Sequence, residues 1–69
     1  MITWFQMSES VWLSSVLIKG QSYVIEKRAD GYRLKVSSLS GTFVLESRLR
    51  SFEMAKEKAD ENLYRRMKK

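Results

Sequence analysis

Three glycines, Gly20, Gly31 and Gly41, stand about ten residues apart in this chain. Around and between them lie "SVWLSSVLIK", "SYVIEKR", "YRLKVS" and "TFVLES", all rich in Val, Ile, Leu and aromatic residues. Turn residues at such intervals between β-rich runs predict a strand meander. The chain contains no proline, no repeat and no low-complexity segment.

Register follows from the turn chemistry. Asp-Gly is the strongest short hairpin signal, so Asp30-Gly31 is expected as a two-residue loop. Arg28 then faces Arg33, Glu26 faces Lys35 and Ile25 faces Val36. A three-residue loop would set Ile25 against Lys35 and mix core with surface, so the two-residue loop is preferred. It sets two like charges, Arg28 and Arg33, opposite each other. Gly20-Gln21 is expected to form a second tight loop, with Ile18 facing Tyr23, Leu17 facing Val24 and Val16 facing Ile25. The inner face then holds Trp12, Val16, Ile18, Tyr23, Ile25, Tyr32, Leu34 and Val36. The outer face holds Leu13, Ser15, Leu17, Val24, Glu26, Arg28, Arg33, Lys35 and Ser37. A fourth strand over 42–47 is expected to add Phe43 and Leu45 to the core side. Its connection, "SSLSG", reads as longer than a tight turn.

The period changes at the C-terminus. Phe52, Ala55, Ala59, Leu63 and Met67 recur at helical spacing and form one apolar stripe. Ser51 suits the N-cap. Glu53 in the first turn and the lysines at 68–69 agree with the helix dipole, and Glu61 with Arg65 makes a favourable i,i+4 pair. The stripe should cover the inner face of the sheet. The expected fold is therefore α+β: an antiparallel three- to four-stranded β-meander packed against one C-terminal α-helix. Residues 1–69 form a single small domain, with an N-terminal segment (1–10), a sheet (11–47) and a helix (51–68). In the N-terminal segment, Trp4 and Phe5 are too apolar to leave in water. They add an edge strand, plug the core or meet a partner, and edge or core packing is favoured.

With 69 residues, the chain buries only about 60% of its unfolded surface, which makes a partner a serious option. It has no Cys and no His, so disulfides and the common zinc sites are excluded. A general base or nucleophile of the usual kind and a glycine-rich phosphate loop are also missing, so no catalysis and no cofactor is expected. "VWLSSVLI" is too short to span a bilayer, no secretory leader is evident, and a cytoplasmic location is expected. The formal net charge of +5 favours anionic partners.

Two surfaces carry the candidate sites. Arg28, Arg33 and Lys35 project from the outer face of the hairpin, where a sheet can enter a major groove and Arg can read guanine edges. Arg48 and Arg50, in "SRLRS", flank the helix N-terminus and could hold a backbone phosphate. Leu13, Leu17 and Val24 share the outer face with the first group, and with Trp4 and Phe5 they make a candidate protein interface. The competing reading for each group is plainer: a solvated strand face, a solvated connector, and apolar residues covered by the N-terminal segment.

The layout W…G…"SYVIEK"…"DGYRLKV"…G-T-F…"SFEMAKEKADE" resembles that of short proteins encoded by phages and prophages. It is also similar to the three-stranded-sheet DNA-binding domains of phage-type integrases, in which the sheet face reads the major groove. The helix looks a little like the last helix of double-stranded-RNA-binding domains. The resemblance implies a mobile-element origin, in the cytoplasm of the host cell. The leading expectation is a small non-enzymatic nucleic-acid-binding accessory protein, with DNA favoured. The second is an inhibitor or modulator that binds a host protein through the mixed apolar and basic sheet face. A homodimer could accompany either.

Overall fold

The computed structural model describes residues 2–15 and 20–67. Five antiparallel strands lie in sequence order in one sheet: β1 (Trp4–Ser8), β2 (Val11–Ser14), β3 (Ser22–Arg28), β4 (Gly31–Ser38) and β5 (Gly41–Leu49). One helix, α1 (Phe52–Met67), follows and packs over β3, β4 and β5. The meander with a C-terminal helix is thus the architecture that the glycine spacing and the change of period predict. The N-terminal segment supplies the additional edge strand, with Trp4 opposite Ser14 and Phe5 opposite Leu13.

The turns differ from expectation in a consistent way. Arg28 pairs with Gly31 and Ser38 with Gly41, so the loop residues are Ala29-Asp30 and Leu39-Ser40. Each glycine follows its loop instead of sitting in it, with φ of 130° at Gly31 and 133° at Gly41. Arg48 is the only non-glycine with positive φ among the described residues. Neither Asp30 nor Ser40 therefore has the positive φ that a type I′ loop requires. The loop lies one residue earlier than the expected Asp30-Gly31, which shifts the cross-strand pairing by two, and "SSLSG" does contain a tight turn. Because that shift is even, every side chain keeps its face. The observed register also removes the like-charge pair: Arg33 now faces Glu26, and Ile25 faces Leu34. Gly31 is needed for a second reason, since a Cβ there would come within 2.5 Å of the Leu49 carbonyl oxygen.

The Gly20-Gln21 register is corrected too. Trp12 and Leu13, not Val16 and Leu17, face Ile25 and Val24. The expected strand positions Val16, Leu17 and Ile18 lie outside the described residues, as do the two terminal lysines. β2 ends at Ser14, which is 3% exposed. Its hydroxyl accepts the Tyr23 N–H at 2.7 Å and donates to the Ser15 carbonyl at 2.9 Å. One side chain thus replaces the next rung of the ladder, so Tyr23 N–H is not orphaned.

The core lies between the sheet and α1. Tyr23, Ile25, Leu34, Val36 and Leu49 meet Ala55 and Ala59, both with no exposed surface. Two alanines in the contact stripe let the helix lie close to the strands. Ser51 caps it, accepting the Met54 N–H at 3.1 Å. Phe52 anchors its first turn, 4.6 Å from the Trp12 ring centroid and 6.5 Å from Trp4. Near the other end, the Tyr23 hydroxyl donates to Asn62 Oδ1 at 2.5 Å, and Arg66 donates to Gln21.

β5 is irregular. The pairings Leu34–Glu46 and Lys35–Val44 leave Leu45 as an extra residue. The pairings Tyr32–Leu49 and Leu34–Glu46 set Ser47 and Arg48 together opposite Arg33. Arg48 takes a φ of 59° at this second bulge. A plain alternation from Phe43 would have turned Leu45 inward. Instead Leu45 is exposed, Phe43 stands opposite Val36 yet is 56% exposed, and Leu49 is the residue that β5 gives to the core. β1 carries a comparable irregularity at Met7. Among the described residues, no helix is long and apolar enough to cross a membrane.

Candidate functional site

α1 covers one face of the sheet, and no described element covers the other. Residues directly opposite across strands share a face, so the ladder gives the open face in rows. The central row is Phe5, Leu13, Val24, Lys35 and Val44, one residue from each strand. Phe5 and Val44 are each 54% exposed, while Leu13 and Val24 are half-buried. Towards the β3–β4 turn, the next row is Val11, Glu26 and Arg33. Away from that turn, the row is Ser22, Ser37 and Thr42. The face is therefore apolar across its middle, charged at one end and hydroxyl-lined at the other.

Glu26 organises the charged end. Its carboxylate accepts from Lys35 Nζ at 3.0 Å and from Arg28 at 3.5 Å, and Arg33 is its direct cross-strand neighbour. The Glu26–Lys35 contact expected from sequence is thus present, but as a diagonal pair. Glu26 and Lys35 are both largely shielded from water, so their bond is better ordered than a fully exposed ion pair.

The turn between β3 and β4 meets the connection from β5 to α1. Arg48 lies 3.6 Å from Asp30, and the Leu49 carbonyl oxygen lies against Gly31. Arg28 and Arg33, distant from Arg48 and Arg50 in sequence, are therefore brought to the same end of the sheet. Arg48 is 81% exposed at its side chain, and Arg50 is exposed. The helix N-terminus beside them carries Glu53 in its first turn, and its Met54 N–H is capped by Ser51. The arginines, more than the helix end, supply the positive charge there.

The apolar candidates divide. Leu13, Val24 and Phe5 lie in one row, and the N-terminal strand extends that row instead of folding over it. Trp4 is on the opposite face, half-buried against Phe52. Leu17 lies outside the described residues. Val44 belongs to the row as well: it precedes the Leu45 bulge, and the alternation that sets Phe43 opposite Val36 puts Val44 on the open face. Beside α1, Leu34, Leu45, Glu46, Lys58, Glu61, Asn62 and Arg65 line an open cleft of about 250 Å³. Its acids and bases alternate, and Arg65 lies 3.6 Å from Glu61. No protein-family model, no curated protein and no solved structure matches the chain.

Proposed function

We propose that this protein is a non-enzymatic binding module that contacts nucleic acid, duplex DNA in preference, through the arginine cluster at the β3–β4 turn end of its sheet. The observation that carries this reading is the convergence of Arg28, Arg33, Arg48 and Arg50. Two arginine groups far apart in the chain meet where the β3–β4 turn abuts the β5–α1 connection. Arg48 and Arg50 are exposed contacts for phosphate oxygens, which take charge-assisted bonds from guanidinium. Arg28 adds a third. Lys35, held by Glu26, belongs to the sheet's own charge network. A chain with a net charge of +5 also gains long-range attraction to a polyanion. The likeness of its layout to that of phage and prophage proteins supports a reading as an accessory protein of a mobile element, acting in the host cytoplasm.

The test is fluorescence anisotropy with duplex DNA and with RNA, across a salt series. Binding should fall linearly in log K against log salt, by about 0.9 for each phosphate neutralised on duplex DNA. The double substitution Arg48→Ala/Arg50→Ala should flatten that slope, whereas Arg65→Ala on the helix should leave it unchanged. No complex with either nucleic acid at low salt would sink the reading. The apolar row favours a second reading, a host-protein modulator that uses Phe5, Leu13, Val24 and Val44. That reading gains if nucleic acid does not bind and a purified partner loses affinity with Leu13→Ser.

A further inference from the structure

The apolar row on the open face has no role in phosphate contact. We infer that it is the interface between two copies of this chain, packed sheet against sheet about a two-fold axis. This inference does not depend on nucleic-acid binding.

The row carries an apolar residue on four of the five strands, interrupted on β4 by Lys35, and apolar residues grouped on one open face mark an interaction site more often than single ones do. Five strands at about 4.8 Å spacing and about 20 Å of strand length give a face of roughly 20 Å by 20 Å. Counted over both copies that is about 800 Å², below the standard size of a specific interface, so the dimer should be weak and form only at high concentration. Sheets also associate through their edges, but here both outer strands are bulged, β1 at Met7 and β5 at Leu45 and at Ser47–Arg48. A regular ladder cannot run along either edge. The face is left as the route to association.

The face also matches itself. A two-fold along the central row would stack Lys35 on its own copy. A two-fold along the strands, midway between β3 and β4, exchanges those two strands between copies. Glu26 then lies over the partner's Arg33, and the reciprocal contact forms on the other side of the axis. In the same arrangement, Leu13 meets the partner's Val44, and Val24 meets the aliphatic stem of the partner's Lys35. Phe5 overhangs the rim. Opposite charges pair, apolar groups pair, and the contact is isologous, as a closed dimer requires. Rotation about an axis parallel to the strands preserves position along them. Both basic ends, with Arg28, Arg48 and Arg50, therefore point the same way.

Sedimentation velocity across a concentration series tests this directly. The wild-type chain should shift from monomer to dimer with rising concentration, and added salt should not dissolve the dimer, because apolar contact dominates it. Leu13→Ser should weaken association at least tenfold while leaving the circular dichroism spectrum unchanged. Glu26→Arg and Arg33→Glu should each be monomeric alone, since every cross-interface pair becomes like-charged. Mixed in equal amounts, these two variants should form a heterodimer, because both pairs are then opposite in sign. A wild-type chain that stays monomeric at the highest concentration would overturn the inference. So would a dimer that Leu13→Ser leaves intact, or folded charge variants that fail to associate on mixing. If the wild type is monomeric yet binds a different protein through this face, the occupant is a heterologous partner and the homodimer is refuted.

Discussion

Val24 and Ile25 are neighbours on β3, similar in size and both apolar, yet they live in different chemistries. Ile25 has no exposed surface and packs beneath α1 among Trp12, Leu34 and the helix alanines. Val24 lies half-buried on the open face between Leu13 and Lys35. The covered face is an interior, closed by apolar contact, ring packing and the Tyr23–Asn62 bond. The open face has interior-like residues in its middle and surface-like charges at one end. Apolar composition alone does not distinguish the two faces; the reach of one helix does.

Substitutions on the two faces should separate them by their cost. The largest effect should come from Ile25→Ala, which removes a fully buried side chain and leaves a cavity. A loss of about 2–5 kcal/mol in urea unfolding is expected, against a total that for so short a chain is only about 3–10 kcal/mol. Gly31→Ala comes next, at about 2–3 kcal/mol, because the new methyl meets the Leu49 carbonyl and φ is positive. Loss of only a few tenths there would mean that β5 does not pass so closely. Ser51→Ala should cost about 1 kcal/mol by removing the cap of α1, seen as a lower thermal midpoint. Tyr23→Phe should cost a similar amount, about 1 kcal/mol, through loss of the Asn62 bond. Val24→Thr should change monomer stability by less than about 0.5 kcal/mol, as at other water-facing positions. Measured beside Ile25→Ala, it is the sharpest comparison: equal losses at the two positions would mean that both faces are interior.

Much of this contrast was legible in the sequence, because side-chain parity survives even errors of register. The β3–β4 pairing differs from expectation by two residues and the β2–β3 pairing by four, yet Tyr23, Ile25, Leu34 and Val36 still fall inward. The helix was legible from its stripe and its Ser51 cap. β5 was not. "TFVLESRLR" reads as clean alternation, and nothing in it announces the bulges at Leu45 and Arg48. Those bulges take Leu45 off the core side and bring Glu46 opposite Leu34, while Val44 before them and Leu49 after them keep the faces that plain alternation gives. The meeting of Arg48 with Asp30 was illegible for the same reason, since it depends on where β5 ends. The local pairing of Glu26 with Lys35 was legible, because either register leaves the two within reach.

The bulged margins have a consequence for how this protein can fail. Fibres grow when one sheet recruits another along an unbroken rim, adding units without limit. Here each rim loses step with any visiting strand within a few residues, while the sticky surface faces outward from the plane and is used up by a single visitor. Crowding should therefore push the protein toward a small, countable species and away from open-ended growth.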